Sequence, residues 1–200
     1  MKSAIFKRLK YNFVSIKSLQ LIQQYLEEAK RELINGHAKK RHPFRNFVLA
    51  TTENGKPRQR TVVLRKTVSD FGLVLYTDSR TQKITDIENN GAFSALFYDA
   101  KKLVQIRLEG KAELITDTAQ IATYWHTVQQ ASRKDYTTSM APGTPIKDPE
   151  AVEYQPDENY FCPVKLVPDT IEILRLGRPN HTRILFSKTD ADWTGEFLVP

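Results

Sequence analysis

The spacing of hydrophobic positions changes once, early in the chain. Over residues 17–35, Leu19, Ile22, Leu26, Ala29 and Leu33 recur at steps of three and four, which predicts an amphipathic helix closed by Asn35-Gly36. From Asn46 onward the apolar runs shorten to strand length. Residues 47–52 and 60–65 flank Glu53-Asn54-Gly55-Lys56, and because Asn-Gly tolerates the positive φ angles of a tight turn, the pattern predicts a hairpin. Residues 71–77, 92–99 and 103–115 predict three more strands, the last with a bulge at Gly110. Between them, residues 79–88 predict a short helix capped by Ser79 or Thr81 and stopped by Asn89-Asn90-Gly91.

After Asp117 a second helical stretch carries Ile121, Tyr124, Trp125 and Val128. Residues 141–168 then collect six prolines, at 142, 145, 149, 156, 163 and 168, which predicts a long loop wrapped over a site or an interface. Strands over 170–176, 183–187 and 197–199 complete the chain. Tight connections and the absence of βαβ alternation give a mainly β (α+β) class: a small antiparallel barrel with peripheral helices, one domain over residues 1–200.

Charge and composition narrow the function. The 200 residues hold 30 Lys and Arg against 23 Asp and Glu, a net charge of +7. Residues 1–66 hold 16 of those cations and only 4 acids, a field that favours an anionic partner. Lys39-Lys40-Arg41 brings no nucleic-acid-binding motif with it and reads as a solvated face. No apolar run spans a bilayer, and Lys7, Arg8 and Lys10 interrupt the N-terminal apolar residues, so a secretory signal is not expected; the basic, acid-free start leaves an organelle-targeting reading open. With Cys162 the only thiol there is no intrachain disulfide, in keeping with a cytoplasmic setting, and Cys162 itself reads as a small buried hydrophobe. His37, His42, His126 and His181 show no metal-ligand spacing, and GxGxxG, GxxxxGK[ST] and nucleophile-elbow motifs are absent.

Two segments carry candidate chemistry. Arg58, Arg60, Arg65 and Lys66 bracket the apolar centre Val62-Val63-Leu64, and alternation puts Arg58, Arg60 and Lys66 on one face and Arg65 on the other. A bound phosphate would partner such cations; an edge strand guarded by charge is the other reading, and the pattern leaves both open. In Tyr76-Thr77-Asp78-Ser79-Arg80-Thr81-Gln82-Lys83, hydroxyls and cations lead into a helix N-terminus, where free N–H groups attract an anion.

Taken in order, Arg60-Thr61-Val62-Val63-Leu64-Arg65, Tyr76-Thr77, Thr81-Gln82-Lys83, Ile87-Glu88-Asn89-Asn90, and Gln105 before Gly110-Lys111-Ala112-Glu113 resemble the FMN-binding split barrel of the pyridoxamine 5'-phosphate oxidase-like family. Ile171-Glu172, His181-Thr182-Arg183, Trp193 and Leu198-Val199-Pro200 are similar to its C-terminal end. The resemblance implies a homodimer binding FMN at its interface. It assigns the strand Arg60, Thr61, Val62, Val63, Leu64 and Arg65 to flavin ring and phosphate, with Arg60 at the phosphate and Arg65 near ring and substrate. Tyr76, Thr77, Gln82 and Lys83 are further cofactor contacts, Gln105 reaches the flavin across the dimer, and Arg183 lies near the ring. Arg65, Tyr124 and His181 face a small-molecule substrate.

Departures from the family pattern fall mostly on the substrate side. Leu174 stands for a tryptophan beside the flavin, Pro179 for a substrate arginine, and Val128 for a phosphate-binding arginine. Gln82 replaces a phosphate arginine, with Arg80 close by to compensate. The resemblance therefore implies an FMN-dependent oxidoreductase of unidentified substrate. Alternatives are a flavin-binding protein without turnover and a pyridoxamine 5'-phosphate oxidase with an altered substrate site.

Overall fold

The computed structural model describes the backbone of residues 2–190 and 192–200, with side chains from Ile16 onward. The basic N-terminal residues behind the targeting reading thus lie outside the described side chains. Helix α1 (Lys2–Ala38) is longer than the periodic stretch. Along its described side chains, Leu19 is 60% exposed, Ile22 is half-buried, and Leu26, Ala29 and Leu33 enter the core. Gly36 does not stop the helix. A Cβ there would sit 2.7 Å from the Phe44 carbonyl oxygen, so the glycine serves the close approach of the turn Pro43–Arg45 to α1.

Strands β1 (Asn46–Glu53) and β2 (Lys56–Val63) form the expected hairpin, with Asn54 and Gly55 at φ of 49° and 76°. β2 stops at Val63 because Leu64 turns fully into the core; β3 (Lys66–Thr67) follows. Positive φ at Asp70 and Phe71 delays the next strand, β4 (Leu73–Asp78), by two residues. Helix α2 (Gln82–Asn89) begins later than expected because residues 79–81 form a turn. β5 (Ala92–Asp99) matches its predicted bounds, β6 (Val104–Leu114) bulges between Glu109 and Gly110 as expected, and α3 (Thr118–Thr127) is capped by Asp117.

The proline-rich stretch is not a loop throughout. β7 (Phe161–Arg175) contains Pro163 and Pro168, which a strand tolerates only where no ladder bond is needed. Pro163 pairs with Tyr76 of β4 and lies beyond the last β6 pair, Leu114 with Val164. Pro168 faces Gly110 at the bulge, in the gap between the last β4 pair, at Leu166, and the first β8 pair, at Thr170. β8 (Thr182–Lys188) and β9 (Trp193–Leu198) complete an antiparallel sheet ordered β2-β1-β5-β6-β7-β4-β3, with β8 on the second half of β7 and β9 on β8. The sheet curls around Leu49, Ala95, Phe97, Leu108, Leu166 and Ile184, and Leu26, Ala29 and Leu33 of α1 pack into the same core. Truncating such a buried leucine to alanine costs about 2–5 kcal/mol. A smaller cluster of Val128, Tyr136 and Phe161, joined by Tyr76, Tyr124 and Trp125, packs α3 on the start of β7. Among the described residues no helix is long and apolar enough to cross a membrane.

Candidate functional site

At the junction of β4 and α2, the Lys83 ammonium donates to the hydroxyls of Thr77 at 2.7 Å and Thr81 at 3.2 Å. Thr81 donates its own proton to the Asp78 carbonyl at 2.8 Å, and its oxygen accepts no cap bond, so the first N–H groups of α2 have no side-chain acceptor among the described residues. Burial, and then the charge of Arg60, pushes the Lys83 pKa down. Hydroxyls, an ammonium and a helix N-terminus thus converge as they do around a phosphate.

Arg60 and Gln82 stand beside this cradle, but both lean on a buried acid. Arg60 donates to Thr51 Oγ1 at 2.6 Å and lies 3.5 Å from Asp86 Oδ2. Thr51 donates to that same oxygen at 2.6 Å, and Gln82 to Oδ1 at 3.1 Å. Burial alone would raise the Asp86 pKa; hydrogen bonds from Thr51 and Gln82, with the charge of Arg60, hold it below the usual carboxylate range. Sequence reasoning missed Thr51 and Asp86; the available signal was one carboxylate among Ile84 and Ile87 on the buried side of α2.

Arg80 does not compensate for Gln82. Its guanidinium forks onto Asp78, with Nη2 to Oδ2 at 2.8 Å, stacks 3.3 Å from the Tyr160 ring centroid, and donates to the Thr138 carbonyl at 2.9 Å. It pins the 137–160 segment to the end of β4 instead. Leu64 is fully buried, so its side chain faces no ligand; Val62 packs against the core, Thr61 is exposed and Val63 half-buried. β2 is also the sheet edge, so the charge-guard reading of its cations holds beside the ligand one.

Farther along, the Arg65 guanidinium lies 5.5 Å over the Tyr76 ring, and its Nε is buried without a hydrogen-bond partner. Tyr76 donates to Thr127 Oγ1 at 3.0 Å, since Thr127 gives its proton to the Tyr124 carbonyl. Burial raises the Tyr76 pKa against the opposing pull of Thr127 and Arg65. The Tyr124 and Tyr76 rings meet tilted at 52°, centroids 5.8 Å apart, and Lys66 lies 5.6 Å over the Tyr124 ring. Val128, at the position expected to be an arginine, is buried in the small core. Cys162 pairs with Thr77 across the strands, and burial, followed by the charges of Glu88 and Asp78, pushes its thiol up to about 11.

The remaining candidates lie elsewhere. Gln105, Leu174 and Arg183 form one cross-strand row on the outer face of β6, β7 and β8. Arg183 donates to Glu172 at 2.8 Å. His181, in the exposed loop before β8, accepts from the Gly177 amide at 3.1 Å. Thr77 pairs with Cys162 and Arg183 with Leu174, twelve residues apart on one strand. Along extended backbone that is about 40 Å. The sequence-predicted candidates therefore fall into two groups: Arg60, Arg65, Tyr76, Thr77, Gln82, Lys83 and Tyr124 near one end of β7, and Gln105, His181 and Arg183 near the other.

Residues 23–116 match the family model described as pyridoxamine 5'-phosphate oxidase, FMN-binding domain. Through these residues the chain is similar to the pyridoxamine 5'-phosphate oxidase-like family, and the low identities to its relatives fit a divergent branch. The chain is 28% identical over 188 residues to the pyridoxine/pyridoxamine 5'-phosphate oxidase of Haemophilus influenzae, covering 87% of each protein. It is similar to the crystal structure of a pyridoxamine 5'-phosphate oxidase-related, FMN binding protein from Nostoc punctiforme, with a TM-score of 0.73 and 27% identity over 86% of this chain and 96% of that one. PhzG from Burkholderia lata, solved with tetrahydrophenazine-1-carboxylic acid, shares the fold at a TM-score of 0.68 and 18% identity, over 92% of each chain. The curled antiparallel sheet is thus the split barrel of this family, and FMN binding is the family trait.

Proposed function

We propose that the protein binds FMN between two copies of itself and uses it as an oxidoreductase on a small molecule. The observation that carries this reading is Lys83: a partly buried ammonium whose only hydrogen-bond partners among the described residues are the Thr77 and Thr81 hydroxyls, at an uncapped helix N-terminus. A dianionic phosphate monoester supplies the missing charge and accepts from the free N–H groups. The partly exposed guanidiniums of Arg65 and Arg183 fit a further acceptor-rich ligand. The residues present therefore fit FMN.

In this reading Lys83, Thr77 and Thr81 hold the phosphate, with Arg60 beside them. Arg65, kept in place by Tyr76, faces ring and substrate, and Tyr124 lines the substrate side. Gln105 and Arg183 come from the other protomer, because one chain keeps its two half-sites twelve residues of β7 apart. His181 reaches the substrate from that same protomer. When bound, FMN supplies two-electron transfer, accepting a hydride from the substrate and returning the electrons to oxygen or another acceptor. The protein's part is position, charge and exclusion of water, and no side chain need act as an obligate base. The lone thiol supports a reducing compartment such as the cytoplasm.

Val128 in the small core and Pro179 in place of two substrate arginines favour a substrate other than pyridoxamine 5'-phosphate, and they also favour a second reading, flavin binding without turnover. The test is the visible spectrum of the purified protein, followed by heat release and identification of the flavin. Released FMN supports the reading, and oxidation of pyridoxamine 5'-phosphate is assayed first. A colourless protein that also fails to bind added FMN overturns it.

A further inference from the structure

We infer that Glu172 is the positioning residue of Arg183, and that Arg107 holds Glu172 from the opposite side. The inference rests on the reading above, in which Arg183 approaches the flavin of a shared site. Arg107 and Glu172 are directly opposed across β6 and β7, and Arg183 lies one diagonal step away on β8. Oε2 of Glu172 accepts from Arg107 Nη2 at 3.1 Å and from Arg183 Nη2 at 2.8 Å. The acid side chain is 7% exposed, against 37% and 35% for the two arginines, so the carboxylate is the fixed inner member and the guanidiniums lie outward of it.

A carboxylate at this depth stays where its cations are, because leaving it unpaired in a poorly solvated place is costly. Glu172 in turn fixes one of the five N–H groups of Arg183. The Nε atoms of Arg107 and Arg183 are both buried without a hydrogen-bond partner, that of Arg107 lying 3.5 Å from Glu109 Oε1. Arg183, tethered at one nitrogen yet with its side chain 35% exposed, is already ordered to present its remaining outward N–H groups to an acceptor. Without the tether, Arg183 loses several freely rotating bonds on binding, and affinity falls by that entropy.

The test is the FMN dissociation constant, read from quenching of flavin fluorescence, beside the melting temperature of the apo protein. Arg183→Met and Glu172→Gln are each expected to weaken FMN about tenfold, the worth of one charge-assisted hydrogen bond. The double variant is expected to be no weaker than Arg183→Met alone, because Glu172 acts only through Arg183. Arg107→Met is expected to shift affinity in the same direction by less, since Glu172 keeps its bond to Arg183. If Glu172→Gln fails to fold, Glu172→Gln with Arg107→Met, which removes the like-charge pair left behind, carries the same comparison. Additive losses, or a fall in melting temperature with unchanged affinity, would make Glu172 merely structural and overturn the inference. Unchanged affinity in Arg183→Met would remove Arg183 from the flavin and the inference with it. Failure of the wild type to bind FMN is a different outcome, which defeats the underlying reading first.

Discussion

The Lys83 ammonium lies 2.7 Å from the Thr77 hydroxyl, while the two acids that attract it from farther off are each taken by an arginine, Asp78 by Arg80 and Asp86 by Arg60. Lys83 thus carries a desolvation cost in the apo protein that only an incoming anion offsets. Its folded pKa is below the unfolded value, so between the two the unfolded chain binds a proton that the folded chain does not. Stability contributed by this group therefore rises with pH through that window, and the cost is fully present below it. Lys83→Met is expected to weaken FMN by about 10- to 100-fold, the range of a charged hydrogen bond. The apo protein is expected to melt no lower than wild type at pH 7. Calorimetry beside fluorescence titration checks both, and unchanged FMN affinity would remove Lys83 from the phosphate.

Arg60 has two jobs that separate by mutation. Its guanidinium neutralises Asp86 as well as standing beside Lys83, so Arg60→Ala should lose both stability and FMN affinity. The stability loss is expected at about 1–3 kcal/mol, the cost of an unsatisfied buried polar group. Because the folded pKa of Asp86 is depressed, that contribution is present above the unfolded value and lost as pH falls through the folded one. Asp86→Asn in the Arg60→Ala background should restore part of the melting temperature and none of the affinity. Arg178→Ala, on the exposed loop before β8, should change neither. Recovery of FMN binding in the double variant would show that Arg60 acts only by holding Asp86.

What the sequence made legible was what depends on neighbours in sequence. Asn54-Gly55 fixed the hairpin, and Thr77, Thr81 and Lys83, within seven residues, meet because a strand end runs into a helix start. The partnership of Thr51 with Asp86 was not legible, since it joins β1 to α2 across 35 residues. Nor were Pro163 and Pro168 within β7: proline excludes a strand only when both neighbours demand its N–H, and whether they do depends on where β4, β6 and β8 end. The resemblance supplied the outer-face row of Gln105 and Arg183, but the separation of that row from the phosphate cradle emerged only from the register of β7.

Gly110 gives a stability test independent of any ligand. A Cβ at this bulge would lie 2.2 Å from the Val167 carbonyl oxygen and 2.8 Å from Pro168 Cα, both backbone atoms that cannot step aside. Gly110→Ala should destabilise by about 1–3 kcal/mol or more, as overpacking does. Gly55→Ala instead meets open space but retains a φ of 76°, so it tests backbone strain alone and should cost less, about 1 kcal/mol. Denaturant melts of both variants check the order, and a tolerated Gly110→Ala would mean that the β6–β7 register can slide.

In the proposed site, divided between the ends of β7, dimerisation is expected to be a condition of FMN binding. The outer face of the sheet carries the cross-strand row Val48, Leu96, Arg107, Glu172 and Leu185, whose three apolar members are half-buried and flank the paired Arg107 and Glu172, beside Tyr98, which is 50% exposed. Apolar side chains in such a row on an open sheet face suit an interface between copies of the chain. Val48 belongs to neither half-site, so Val48→Glu is a substitution that addresses association alone. It should leave the monomer folded, because the side chain already meets solvent, while placing a charge where the second copy would desolvate it. Sedimentation at micromolar concentration should show wild type as a dimer and the variant as a monomer, and the variant should bind FMN at least about tenfold more weakly. A wild-type monomer that binds one FMN per chain would refute the shared site: Gln105 and Arg183 would then have to reach the cradle of their own chain, against the twelve residues of strand that separate them.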